Sequence, residues 1–325
     1  MKFGKKQLVL ASLVLALGAA VYLNWQFAGT NTLPVEDTSS ETSQLGAAQL
    51  VNNAYVETVT DDLQSSTETA AQEDALAQAR EREPSALGRE VLGQLLENDR
   101  IAAQEQLPIC QDTGMAFLFV EYGDKVVIEN GSFEEAVQEG VRQAYRDGYL
   151  RKSVVSDPVI DRVNTGDNTP AIIYTDIVPG SQIKFLVSGK GFGSENMSAI
   201  KMLTPSAGLE GVKRFILDTV DRAGPNPCPP IVVGIGIGGS FEKAAQLAKK
   251  AAMLPITEKN PDPRYAALED ELLEKINALG YGPAGLGGAS TALGVNILTF
   301  PTHIAGMPVA VNICCHAARH KSAVL

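Results

Sequence analysis

Three of the chain's four cysteines lie at bends, where a thiol is presented rather than packed away. Cys110 sits in Leu-Pro-Ile-Cys-Gln-Asp-Thr-Gly, Cys228 in Gly-Pro-Asn-Pro-Cys-Pro-Pro, and Cys315 in Val-Asn-Ile-Cys-Cys-His-Ala-Ala-Arg-His. Thiolate is the soft ligand that iron–sulfur clusters take. Three thiolates on a four-iron cluster leave one iron open, and an open iron binds substrate and acts as a Lewis acid. Two other readings stand beside this one. Buried cysteine is common as a small hydrophobe, and a Cys3His zinc site could be completed by His316 or His320, although no Cys-x2-Cys pair supports it. Cys314 and Cys315 are neighbours at a predicted strand end, so their side chains face opposite ways and only one reaches a shared metal.

The elements that must position these thiols begin near Ala79. Leu87, Val91, Leu95, Leu96 and Ile101 recur at helical spacing over 85–106, with Ser85 as N-cap. Helices are predicted over Phe133–Gly148, Leu209–Asp221, Phe241–Met253 and Tyr265–Leu279. Strands are predicted over Ala116–Tyr122, Ile172–Val178, Ile183–Val187, Ile231–Ile237, Ala292–Phe300 and Met307–Ile313. This alternation predicts an α/β or mixed α+β domain over 79–325.

The first 78 residues have another texture. Lys2, Lys5 and Lys6 precede an uncharged apolar run, Leu8 to Leu23, with Tyr22 and Trp25 at its far end. This pattern predicts a single transmembrane anchor over 1–28 with its N-terminus inside, a cleaved signal peptide being the runner-up. From Glu36 to Gln78 there are nine acidic residues and no basic one, so 29–78 is expected to be a disordered or loosely helical acidic linker. The net charge of −11 argues against nucleic acid as a partner.

Gly234, Gly236 and Gly239 spell Gly-x-Gly-x-x-Gly between a predicted strand and helix, the context of a dinucleotide fingerprint. About twenty positions on, where an acidic residue at a strand end is required, the chain reads Leu-Pro-Ile-Thr-Glu-Lys-Asn-Pro-Asp-Pro. No second strand completes the unit there, and the glycines are read as tight strand–helix packing.

Five blocks together carry a resemblance. They are the Cys110-Gln111-Asp112-Thr113-Gly114 run, Val163 to Pro170, Lys190-Gly-Phe-Gly193-Ser-Glu-Asn-Met, Asn-Pro-Cys228-Pro-Pro, and Pro-Thr-His303-Ile-Ala-Gly through Cys315-His-Ala-Ala-Arg. Over 80–325 the chain resembles the α subunit, or N-terminal domain, of class I iron–sulfur fumarate hydratase, the family that includes L(+)-tartrate dehydratase. Residues 1 to about 65 faintly resemble the membrane-anchored N-terminus of stage III sporulation protein AH.

The resemblance implies a [4Fe-4S] cluster on Cys110, Cys228 and Cys315, with Cys314 an extra. It implies substrate contacts from Gln111, Asp112, Arg151, Gly193 and His303, with His303 contributed near a dimer interface, and proton handling by Asp112 and His303. The reaction implied is interconversion of fumarate and (S)-malate. Tartrate dehydration is the alternative within the class, and a non-catalytic membrane-anchored scaffold the alternative outside it. Since the chain stops ten residues after Cys315, a separate β subunit is expected, in a homodimer of αβ pairs. The enzyme domain is expected to be cytoplasmic, although the sequence carries an N-terminal single-pass anchor.

Overall fold

The computed structural model describes residues 67–105, 107–128 and 131–325. The expected anchor, 1–28, and the greater part of the expected linker lie outside the described residues. Among the described residues, no helix is long and apolar enough to cross a membrane. The linker stretch, 29–78, overlaps a helix that begins at Thr67: α1, Thr67–Arg82. That helix packs on α2, Ala86–Glu105, and fully buries Leu76, so residues 67–78 are ordinary helix.

The rest of the chain runs β1 (Met115–Gly123), α3 (Phe133–Asp147), β2 (Ile172–Val178), β3 (Ile183–Lys190), α4 (Phe192–Glu195), β4 (Ala199–Leu203) and α5 (Gly208–Ala223). It continues with β5 (Ile231–Gly238), α6 (Phe241–Ala251), α7 (Pro263–Asn277), β6 (Ala292–Phe300), β7 (Met307–Cys315) and β8 (His320–Val324). These elements fall into two compact units: Cys110–Lys190 with Arg319–Leu325, and, among the described residues, 67–109 with Gly191–Ala318.

The first unit is a four-stranded mixed sheet in the order β2-β1-β3-β8. β1 pairs parallel with β2 and antiparallel with β3, so the strands on either side of Pro179–Gly180 flank β1 and do not pair with each other. The Ser132 hydroxyl accepts the Glu135 N–H and starts α3. Val137, Val141, Ala144 and Tyr145 then recur on one face and pack against Ala116, Leu118, Val120, Phe185 and Val187. Each larger apolar side chain buried in this way contributes about 1.5–3 kcal/mol.

The second unit is a mixed sheet in the order β4-β7-β5-β6. Alternation along β5 sends Ile231, Val233 and Ile235 into one core with Val212, Ile216 and Val220 of α5 and Leu268, Leu272 and Ile276 of α7. The opposite face carries Gly234 and Gly236, against which α6 lies. A Cβ on Gly234 would stand 2.2 Å from the Ala252 nitrogen, and one on Gly236 2.1 Å from the Ala244 oxygen. The glycine motif is therefore an architectural contact. β6 does complete a parallel unit beside β5, after a crossover through α6 and α7. Where the sequence alone shows no second strand, the crossover is simply longer than the fingerprint allows. Phe300-Pro301-Thr302-His303 follows this strand, with no acidic residue in the cofactor-reading position.

In α2 the Ser85 hydroxyl caps the helix by accepting the Gly88 N–H at 3.1 Å. Its buried face is Gly88, Leu92, Asp99 and Ala102, while Leu87 and Ile101 of the predicted apolar set are exposed. Docking against its neighbours, rather than its own periodicity, selects that face. At the junction, the buried Glu83 carboxylate accepts the N–H groups of Ser85, Ala289 and Ser290. Burial works against its ionisation, but hydrogen bonds from Ser290, Ser85 and Ala289 outweigh that and lower its pKa.

Candidate active site

In the first unit, α3 carries a polar stripe at i, i+4 and i+7 that holds the site loops. Gln138 exchanges hydrogen bonds with the Ala171 backbone, and Arg142 donates Nε to Asp167 at 3.0 Å. The Tyr145 hydroxyl lies 2.9 Å from the carbonyl oxygens of both Thr113 and Gly114. Burial disfavours the charged form of Asp167. Hydrogen bonds from the Thr169 N–H and hydroxyl and from Arg142 outweigh this and pull its carboxyl down to about 2.

The centre of the arrangement is Asn168, fully buried and held at φ +63°. Its Nδ2 donates to the Gly114 carbonyl at 3.0 Å, and its Oδ1 accepts the N–H groups of Ser153 and Val154 at 2.6 and 3.0 Å. Buried Thr113 adds a second tie, its hydroxyl donating to the Arg151 carbonyl at 3.0 Å. α3 ends with Tyr149 in the left-handed region and the Leu150 N–H returning to the Tyr145 carbonyl, which delivers the chain to Arg151 at a set angle. The Thr113 tie thus sets the Arg151 backbone beside the segment that carries Gln111 and Asp112. The Gln111 and Arg151 side chains are exposed and Asp112 is half-buried, with its Oδ1 accepting the Gly114 N–H at 3.0 Å.

One residue of this patch escaped sequence reasoning. Arg319, in the Cys-His-Ala-Ala-Arg block, is 6% exposed and donates Nη2 to the Asp112 carbonyl at 2.8 Å. Its Nε and Nη1 have no hydrogen-bond partner among the described residues. The available signal was position alone, four residues beyond Cys315.

In the second unit, strand register places the remaining candidates. Cys315 ends β7 opposite Ile231. Cys228 lies three residues before Ile231, in an exposed turn where it takes φ +56° and donates its N–H to the Pro225 carbonyl. Both thiols therefore stand at one end of the sheet. Cys314 faces the other way and packs with Val232 and Ala318. Gly193 lies on α4 at the same end, since Asn312 of β7 donates to Glu195 at 3.0 Å and to Ser198 at 3.1 Å. Lys249 of α6, itself buried, pairs with Glu195 beneath the turn. A Cβ on Gly193 would meet nothing within 4 Å, so packing does not demand a glycine there.

His303 is placed differently. It is exposed in the turn between β6 and β7, where its Nδ1 accepts the Ala305 N–H at 3.2 Å. That turn is at the far end of the sheet from Cys228 and Cys315, about 25 Å along β5 at ~3.3 Å per residue. This unit does not bring His303 to its own cysteines. Among the described residues, no three or more His, Cys, Asp and Glu side chains are gathered as ligands for a metal ion. The chemistry of the donor set nonetheless suits an iron–sulfur group: Cys110 and Cys315 are half-buried, Cys228 is exposed, and all three are thiols.

A family model described as Fumarate hydratase (Fumerase) matches residues 54–324. A Methanocaldococcus jannaschii protein, provisionally named L(+)-tartrate dehydratase subunit alpha, is 45% identical over 249 residues, covering 75% of this chain and 87% of that protein. The L(+)-tartrate dehydratase subunit alpha of Escherichia coli strain K12 is 36% identical over 253 residues, 76% of this chain and 82% of that protein. That of Shigella sonnei matches to the same extent. The chain therefore belongs to the fumarate hydratase (Fumerase) family, and it is a hydro-lyase.

Proposed function

We propose that this chain is the α subunit of an L(+)-tartrate dehydratase, working with a separate β subunit and a [4Fe-4S] cluster held by Cys110, Cys228 and Cys315. The observation that carries the substrate is the 45% identity to a relative named for tartrate dehydration. Sequence motifs alone favour fumarate–malate interconversion, which the family model's own description also favours, and that is the second reading. The names of the relatives tip the balance to tartrate, and their designation as alpha subunits supports a β partner.

When bound, the cluster supplies an open iron that acts as a Lewis acid on the hydroxyl to be expelled. The chain's own residues do the rest. Arg151 grips one substrate carboxylate bidentately, and its backbone, tied at its own carbonyl by Thr113 and two residues on, at Ser153, by Asn168, holds that grip in one orientation. The side-chain amide of Gln111 hydrogen-bonds beside it. The Asp112 carboxylate, anchored through Oδ1 to the Gly114 N–H, relays a proton. The Gly193 backbone, open on its Cα side, lets a carboxylate oxygen approach closely. His303, remote from this unit's cysteines, acts on the substrate of a second copy in a dimer of αβ pairs.

The test is anaerobic assay of the full chain with its β subunit on L(+)-tartrate, fumarate and (S)-malate. Tartrate is expected to give the highest kcat/KM. A higher value for fumarate or malate restores the second reading. Full activity of the chain without a β subunit refutes the two-component assembly.

A further inference from the structure

We infer that Arg319 is a positioning residue for the cluster: it fixes the Cys110–Asp112 turn through the Asp112 carbonyl and donates from its two other guanidinium nitrogens, Nε and Nη1, to cluster sulfurs. This rests on the reading above that the three cysteines hold a [4Fe-4S] group. The motive is a buried charge without a counter-charge. Arg319 is 6% exposed, the one hydrogen bond of its guanidinium goes to a neutral carbonyl, and among the described residues no carboxylate pairs with it. Arginine cannot shed its proton to escape that cost. The side chain is also rigidly based. Ser188 donates its hydroxyl to the Arg319 carbonyl, and β8 begins at the next residue, with His320 in register with Ser188.

Two features point to a cluster rather than a carboxylate as the acceptor. Arg319 is bonded to the residue two after Cys110, the first proposed ligand, and follows Cys315 by four residues in sequence. The unpaired nitrogens are Nε and Nη1, which lie on different edges of the planar guanidinium. One carboxylate takes a single edge of a guanidinium, whereas a body with several sulfur acceptors can take both. Three thiolates also leave a four-iron core in its usual oxidised state with net negative charge. Hydrogen bonds to cluster sulfurs raise the reduction potential and hold the ligands in place.

The test uses the full chain with its β subunit, reconstituted anaerobically with iron and sulfide, as wild type, Arg319→Lys and Arg319→Met. Iron retention against a chelator, the midpoint potential and the KM for tartrate are measured. Arg319→Met is expected to lose iron roughly 10-fold faster and to show a lower potential. Arg319→Lys, which keeps the charge without the divergent donors, should fall between. Unchanged potential and retention in both variants overturn the inference, as does a raised KM with an unchanged potential, which would make the substrate carboxylate the acceptor. If Arg319→Met fails to fold, Arg319→Lys decides on the same readouts. Failure of the wild type to take up iron sinks the cluster reading itself, and this inference with it.

Discussion

The two units position their candidate residues by different physics. In the first, a turn and two loops converge because buried side chains from α3, Asn168, Thr113 and Arg319 hydrogen-bond to backbone. In the second, Cys228, Cys315 and Gly193 share a sheet end because β5 and β7 pair in one register over an apolar core. A polar clamp fails when one donor or acceptor is removed, since the orphaned partner remains buried. A register held by many apolar contacts is hard to shift but decides everything at the strand end. Polar substitutions should therefore break the first unit's site, and ligand identity should be all-or-none in the second.

The largest effect expected is at the strand end. Cys315→Ser should abolish iron binding and activity, while Cys314→Ser, one residue away on the other face, should keep both. Iron analysis after anaerobic reconstitution distinguishes them, and the reverse outcome would mean the register assigns the wrong thiol. Next is Asn168→Ala, which strands the Gly114 carbonyl and the Ser153 and Val154 N–H groups. A loss of about 3–5 kcal/mol is expected from urea unfolding, with activity falling alongside. A loss below ~1 kcal/mol would show that the clamp is redundant. Arg151→Gln sits on that clamp without being part of it. It should lower kcat/KM by roughly one to two decades at about 1.4 kcal/mol per decade, with the melting curve unchanged.

The smallest effects come from pH, and they oppose each other in the two units. Asp167 is held at about 2, below its ordinary 3.8, so its stabilisation is present above 3.8 and lost as pH falls through about 2. Asp167→Asn should remove that acid limb. Asp99 in α2 is raised to about 7, chiefly by burial and then by the nearby Glu73, despite a hydrogen bond from Asn98. Its charged form is a cost above pH 7 that shrinks as pH falls and is gone below about 3.8. Asp99→Asn should therefore add roughly 1 kcal/mol at pH 8 and nothing below pH 4. A gain that did not change with pH would mean that Asp99 costs stability through packing.

Much of this molecule was legible in order along the chain. Long apolar strands such as β5, β6 and β7, and α3 with its regular core stripe, declare themselves because burial acts on neighbours in sequence. The cysteine settings, and the motifs that carry the family, are likewise local. The short edge strands β4 and β8 were missed because each pairs with one neighbour and leaves polar residues exposed. The start of α1 was obscured by acidic composition, although the helix fully buries Leu76.

The sequence by itself determined which residues carry chemistry: thiols at bends, an acid and an amide beside the first of them, an arginine and a histidine. Only the tertiary structure decided how they are held and which stand together. Asn168 matters because Gly114 and Ser153 are folded onto it, and Arg319 because Asp112 is. Cys315 and His303 flank one strand, β7, and its run along β5 carries them to opposite ends of the sheet. The physical reason is that a hydrogen bond or a register joins residues by distance in space, and the chain's order encodes that distance only after the core has closed.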